Sequence, residues 1–305
     1  VLRALGLGDF LTAVPALRAL AAAFPDHRRV LAAPAALEPL ARLSGTVDGV
    51  VDTPPLAPLD PSLRGAAVAV NLHGRGPQSH RVLLDAAPAR LIAFRHPDVP
   101  ASAGGPRWTR SEHEVRRWCR LLQAGGIPAD PARLDLPAPP ERPPVEGAVV
   151  IHPGAASAAR RWPADRWAAV AAAQDHPVVL TGSAGERPLC QAVARRAGLP
   201  EAAVMAGTTD LLGLAALVAG ARRVLCGDTG VAHLATAFGT PSVVLFGPVP
   251  PSEWGPPADR PRHVAVWAGR RGDPHGEAPD PGLLRITVED VLAHTRPRAS
   301  TIRST

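Results

Sequence analysis

Residues 225–248 are LCGDTGVAHLATAFGTPSVVLFGP, a stretch that carries the mark of the whole fold. An apolar run ending at Cys226 gives way to Gly227, Asp228, Thr229 and Gly230, then to a small-residue helical pattern carrying His233, and then to a second apolar run that stops at Gly247-Pro248. Continuous apolar strands bounded by turn residues and separated by helices belong to parallel sheets covered on both faces. Ligands of such sheets sit at the carboxyl ends of the strands. The polar quartet therefore falls where an α/β protein does its chemistry.

Outward from this stretch the rhythm repeats. Strand patterns fall at residues 1–5, 30–33, 68–72 and 91–94, then at 149–152, 178–181, 224–226, 243–246 and 264–267. Helical patterns fall at 11–23, 35–43 and 112–124, then at 164–173, 186–197, 211–219, 231–238 and 288–294. Between the two sets, residues 135–147 (DLPAPPERPPVEG) are proline-rich and aperiodic, which marks a linker. The expected architecture is α/β, with two Rossmann-like domains facing each other across a cleft. The first spans residues 1–138 and the second 147–305, joined by 139–146, and the C-terminal helix is a candidate to pack back on the first domain.

Bulk composition narrows the partners. The 33 basic residues are all arginine, and the net charge is +6 among 305 residues. That balance mildly favours anionic substrates. No block of like charge and no alternation of arginine with aromatic residues suggests nucleic acid. Cys119, Cys190 and Cys226 lie far apart without a CxxC or Cys/His cluster, so buried thiols in a reducing cytoplasm are expected and no metal site is. The apolar stretches fall short of a membrane span, the N-terminal residues lack the pattern of a signal peptide, and no basic amphipathic helix stands out, so at most peripheral membrane contact is expected.

Five strand exits carry candidate chemistry. In GLGDFLTAVPAL (residues 6–17), Gly6 and Gly8 suit a tight turn with positive φ, and Asp9 stands before a helix. Asp9 is either a cap for that helix or a carboxylate placed to take a proton from a substrate hydroxyl. In NLHGRGPQSHR (71–81), Arg75, Gln78 and Ser79 sit in a dense polar loop that is either simply solvated or suited to a polyhydroxylated or anionic acceptor, with Arg107 a further candidate; a metal cluster is disfavoured because no carboxylate or cysteine joins His73 and His80. In HPGAASAARRWPADRW (152–167), Arg160 and Arg161 follow a small-residue loop that lets backbone approach a ligand; they are either surface arginines or a phosphate grip. Glu186, at the next exit, either favours the helix dipole or binds a ribose diol.

In the opening stretch, Asp228 can cap the helix, while Thr229 and Gly230 lie in its first turn, where backbone N–H groups lack intrahelical partners. With the helix dipole these donors make an anion site, and His233, four residues after Thr229, offers a ring N–H beside it. No GxSxG elbow supports a hydrolase.

The motifs GDTGVAHLATAFGTPSVVLFGP, LGLGDFLTAVPALRALAAAFP, HPGAASAARRWP and GTTDLLGLAALVAGAR closely resemble, in order, those of glycosyltransferase family 9, which includes the ADP-heptose:lipopolysaccharide heptosyltransferases. The resemblance spans nearly the whole chain and is weakest over residues 54–133. It implies a GT-B fold, with the acceptor in the first domain and the nucleotide-sugar donor in the second. It also implies inversion at the anomeric carbon without a metal or other cofactor, and the chain has no DxD triplet. By position, Asp9 matches the base; Asp228, Thr229, Gly230 and His233 match residues around the donor diphosphate and sugar. Glu186 matches the ribose acid, and Thr209 lies where the base is contacted. Arg160 stands where a lysine is usual, which replaces a point charge by a fork. An ADP-sugar, ADP-heptose among them, is the favoured donor. The acceptor is a glycan, a lipid-linked molecule or a small natural product, in lipopolysaccharide, cell-surface glycan or natural-product biosynthesis. The alternatives are a non-catalytic nucleotide-sugar-binding protein and a sugar-nucleotide epimerase of the same shape.

Overall fold

The computed structural model describes residues 1–295. In the first half, β1 (Val30–Ala33) pairs in parallel with β2 (Gly49–Asp52), and β3 (Val68–Val70) with β4 (Arg90–Ile92). Leu2 joins the two pairs through parallel bridges to Ala32 and Asn71. Leu2 N–H donates to Val70 O at 2.9 Å and Arg3 N–H to Ala32 O at 3.0 Å. The strand expected over 1–5 is thus reduced to one bridging residue, which nevertheless completes a five-lane order of β2, β1, Leu2, β3 and β4. The β2 strand has no counterpart in the sequence reading, because only Val50 and Val51 are apolar and all four residues stay partly solvated.

Helix α1 (Leu7–Ala23) is buried almost all round, from Phe10 through Leu17. Such a helix must be enclosed rather than laid on a surface. It is wedged between α4 (Glu114–Ala124), beyond the short α2 (Glu38–Leu43) and α3 (Gln78–Asp85), and a helix of the second half. The polar loop expected over 71–81 is in its second part the start of α3; Gln78, Ser79 and His80 masked the apolar Val82 and Leu83 that follow.

The second half holds one parallel sheet of β5 (Val149–His152), β6 (Val178–Leu180), β7 (Arg223–Gly227), β8 (Ser242–Phe246) and β9 (His263–Trp267), in the order β6-β5-β7-β8-β9. Its helices are α5 (Ala164–Ala172), α6 (Arg187–Ala197), α7 (Leu211–Ala219), α8 (Gly230–Phe238), α9 (Pro251–Trp254), α10 (Pro281–Leu284) and α11 (Val288–Leu292). These bounds lie within two residues of the expected ones wherever an element was expected. Both faces of the sheet are buried, as its unbroken apolar strands require. Val149, Ile151 and Leu225 face a core with Trp162, Trp167 and Val193, whereas Val150, Val224 and Cys226 belong to the core that continues into the first half through Leu217, Val231 and Phe10.

Order reverses between β5 and β7 in this sheet, and between Leu2 and β3 in the first. Each reversal leaves a crevice beyond the strand ends. The expected return of the C-terminal helix onto the first half is not what α11 does. It packs on α5, and Trp162 Nε1 donates to Ile286 O at 3.1 Å just before it. Residues 296–305 lie outside the described ones. All three cysteines are free and buried, and burial pushes the Cys119 and Cys190 thiols up to about 12. No described helix is long and apolar enough to cross a membrane.

Candidate active site

The two crevices open toward each other because α1 and α8 meet end to end at their N-termini. A Cβ on Gly230, the first residue of α8, would lie 2.9 Å from Leu7 Cβ; one on Gly8 would lie 2.9 Å from His233 Cδ2. Glycine is needed at these positions for close approach, which corrects the expected positive φ at Gly6 and Gly8: Gly6 is extended, with φ −77°, and Gly8 is helical. Helix α1 also begins earlier than expected, so Asp9 is within the first turn and is no N-cap.

Asp9 Oδ1 lies 3.3 Å from Arg3 Nη2, and its side chain is 28% exposed. Arg3 itself is fully buried. Its Nε donates to Asp9 O at 2.9 Å, Nη2 also donates to Glu114 Oε1 at 3.0 Å and Thr12 Oγ1 at 3.2 Å, and Nη1 donates to Leu72 O. Glu114 Oε1 further accepts from Trp118 Nε1 at 2.9 Å, and Arg117 holds its other oxygen. Burial raises the Asp9 pKa above the ordinary carboxylate range; Arg3 opposes that and Glu114 reinforces it. Neither Arg3 nor Glu114 emerged from the sequence: Arg3 sits inside an apolar run and Glu114 looks like an ordinary first-turn acid. Removing one partner of such a buried pair costs roughly 3–5 kcal/mol.

Across the crevice, Arg160 ends a 3₁₀ turn (Ala158–Arg160), and its Nη1 donates to Asp228 O at 3.2 Å and lies 3.7 Å from Asp228 Oδ2. Asp228 is buried and does not cap α8; Thr229 is the N-cap residue, without a side-chain cap bond. Burial raises the Asp228 pKa to about 6, Arg160 opposes the shift, and Asp9 adds to it from the other half of the chain. Two buried polar atoms here, Arg160 Nε and Thr229 Oγ1, have no hydrogen-bond partner among the described residues. His233 stacks edge-on against Trp254 at 6.0 Å, and burial lowers its pKa to about 4, so the ring is neutral at pH 7. His113, unnoticed in the sequence, donates from Nε2 to Gly255 O at 3.0 Å and so ties α4 to the segment after α9.

Glu186 occupies the exit of β6. Its Oε2 accepts from Ser183 N–H at 2.8 Å and from Ser183 Oγ at 2.9 Å, closing a capping box. A Cβ on Gly154 would lie 2.0 Å from Glu186 Oε1, so the glycine leaves room for the carboxylate over the loop that follows β5. Thr209 is half-buried in a neighbouring loop, fastened by Gly207 N–H to Gly182 O at 2.9 Å. Glu186, Arg160 and Asp228 thus follow the carboxyl ends of three adjacent strands, β6, β5 and β7.

The structure places the acceptor-side candidates less uniformly. Arg75 and Gln78 are exposed beyond β3. Ser79 is buried and accepts from Asn71 Nδ2 at 2.9 Å, so its hydroxyl is committed to holding the loop. Arg107 is exposed, and its carbonyl accepts from Arg120 at 3.1 Å.

Residues 107–278, more than half of the chain, match the family model described as Glycosyltransferase family 9 (heptosyltransferase). Over 147 residues the chain is 32% identical to lipooligosaccharide heptosyltransferase 2 of Haemophilus influenzae, covering 44% of the chain and 42% of the relative. The chain spans less than half the length of the curated relatives it matches. In three dimensions it superposes on the Escherichia coli ADP-heptose lipopolysaccharide heptosyltransferase II with a TM-score of 0.74, at 21% identity over 96% of both chains. A family 9 glycosyl transferase of Veillonella parvula gives a TM-score of 0.76 at 17% identity, over 96% of this chain and 94% of that one. At these identities the likeness is one of fold, the GT-B arrangement of two Rossmann-like halves.

Proposed function

The chain belongs to glycosyltransferase family 9, and from that premise we propose that it moves a sugar from a nucleoside-diphosphate donor to an acceptor hydroxyl, with inversion and without a metal. The carrying observation is the meeting of Gly8 with His233 and of Leu7 with Gly230, which brings the first turn of α1, with Asp9 in it, to the N-terminus of α8, near enough for Asp9 to act on Asp228. Residues 1–138 then receive the acceptor and residues 147–305 hold the donor, in the cytoplasm. ADP-heptose is the favoured donor and a glycan, lipid-linked or free, the acceptor; the names of the relatives support both.

In this reading Asp9 accepts the proton of the acceptor hydroxyl as its oxygen attacks the anomeric carbon. The bond from that carbon to the diphosphate breaks, and its electron pair leaves with the diphosphate. Free N–H groups of the first turn of α8, the Arg160 guanidinium and the Thr229 hydroxyl are preorganised for that growing charge. His233, neutral, donates a ring N–H. Asp228 orients Arg160, Glu186 takes the ribose diol, and Thr209 contacts the base.

Incubation with ADP-heptose and a panel of acceptors, followed by product NMR, tests the reading. Asp9→Asn should lower transfer by about 10²–10⁴-fold, the range of a positioned general base, and leave donor affinity intact. Unchanged turnover in that variant sinks the mechanism. Donor kept without acceptor should remain unaltered, since an epimerase would isomerise it. Activity should survive exhaustive EDTA treatment; its loss would defeat the metal-free reading.

A further inference from the structure

We propose that Glu114 is the resident counter-ion of Arg3, and that by holding this cation it leaves Asp9 free to take up and release a proton in each turnover. The inference rests on Asp9 as the base and adds a positioning residue to it.

A carboxylate paired alone with a buried guanidinium is a poor base. The cation holds it ionised, and protonating it would leave an uncompensated charge in the interior. The Arg3 side chain is arranged to avoid this. Its shorter contact runs to Glu114 Oε1, 3.0 Å from Nη2, and the longer one, 3.3 Å, to Asp9 Oδ1. Nε spends its hydrogen on the Asp9 carbonyl and Nη1 on that of Leu72, so no second N–H reaches the Asp9 carboxylate. A bidentate fork, the strong form of this pair, does not form.

Glu114 cannot turn away from this duty. Trp118 Nε1 holds the oxygen that faces Arg3, and Arg117 holds the other. Arg117 is anchored in turn by the carbonyls of Thr109, Arg110 and Glu112. When Asp9 becomes neutral, Arg3 keeps a carboxylate partner in Glu114, whose charge it shares with Arg117, itself held by three backbone carbonyls. Asp9 is the partly exposed member of the trio, at 28% against 6% for the Glu114 side chain, so it alone meets an incoming hydroxyl. The other charged or titratable groups around it are Asp228 and Arg160 across the crevice, His233 over Gly8, and His73 beyond β3. Burial is the first cause of the upward shift of the Asp9 pKa, Arg3 opposes it, and Glu114 adds to it in the direction this arrangement requires.

The test is the pH profile of kcat/KM for Glu114→Gln. Without the resident anion, Asp9 becomes Arg3's only counter-ion. The acid limb should move to lower pH and kcat should fall about tenfold, with donor affinity unchanged; Glu114→Asp, which keeps the charge, should restore the limb. A folded Glu114→Gln protein with an unmoved limb overturns the proposal. Should the variant not fold, ¹³C NMR of the unmodified protein labelled at its aspartate carboxyls decides, with Asp9 assigned from Asp9→Asn. A midpoint above the ordinary value of about 3.9, to which burial contributes first, supports the claim that Arg3 does not hold Asp9 ionised, and one below it overturns the role of Glu114. If Asp9→Asn kept full turnover, the base assignment would fail separately, whatever the midpoint.

Discussion

Gly8 and His233, from opposite halves of the chain, lie so close that a methyl group on Gly8 would stand 2.9 Å from the imidazole Cδ2 and 3.5 Å from the backbone of Gly230. The ring cannot simply retreat, because Trp254 packs against it at 6.0 Å. Gly8→Ala should therefore push α1 and α8 apart, at the ~1–3 kcal/mol typical of overpacking. Because the shift falls between Asp9 and the α8 N-terminus, kcat should drop about tenfold or more. Thermal denaturation and steady-state transfer kinetics measure both.

Asp228 and His233 should oppose each other in the pH dependence of stability. The folded Asp228 pKa is raised to about 6, so its contribution is fully present below the unfolded pKa and is lost as pH rises through about 6. His233 is depressed to about 4, so the unfolded chain binds the proton more tightly, and its contribution is lost as pH falls from about 6.5 through about 4. Over roughly pH 4–6 the two slopes offset each other. Asp228→Asn should make the protein lose stability on acidification through that window, and His233→Gln should make it gain. Urea unfolding at a series of pH values reads both slopes.

Arg160 binds the Asp228 carbonyl and retains a buried, unpartnered Nε. A charge-assisted bond to a diphosphate is worth about 1.5–3 kcal/mol. Arg160→Met should weaken ADP-sugar binding about 10–100-fold in calorimetry. Arg160→Lys should recover only part, because a point charge cannot hold Asp228 and phosphate together as a fork does.

Gly154→Ala should test Glu186 in nucleotide recognition. The added Cβ would occupy the space of Glu186 Oε1, 2.0 Å away, and displace the carboxylate. Because Gly154 is buried and Glu186 is half-buried and held by Ser183, the displacement should also lower the unfolding free energy, by the ~1–3 kcal/mol of overpacking. Affinity for ADP should fall about tenfold, and affinity for a 2′,3′-dideoxy analogue should be insensitive to the change. Equal losses for both nucleotides would count against Glu186 as the ribose ligand.

Much of the scaffold was legible because burial on both faces leaves a direct mark. Val149–His152, Leu211–Ala219 and Ser242–Phe246 are read from apolar runs and helical spacing within a residue of their observed ends. The misses have local causes. Gly49–Asp52 is a half-solvated strand, and Gln78–Asp85 begins with polar residues that a loop would also carry. Within the site, the pattern singled out Asp9, Arg160, Glu186, Asp228 and His233, but it could not say which would spend its hydrogen bonds internally. Ser79 does, on Asn71.

Local pattern is therefore enough to specify two parallel α/β halves, the strand exits where ligands would be met, and the family. These depend on periodicity and on short motifs, which act over a few residues. Long-range packing alone reveals that Gly8 is a glycine for His233's sake, that Asp228 faces Arg160 instead of capping a helix, and that Arg3 is shared between Asp9 and Glu114. Each of these is a contact between distant parts of the chain. Its energy depends on burial and side-chain direction, which exist only once α1, α4 and α8 have packed.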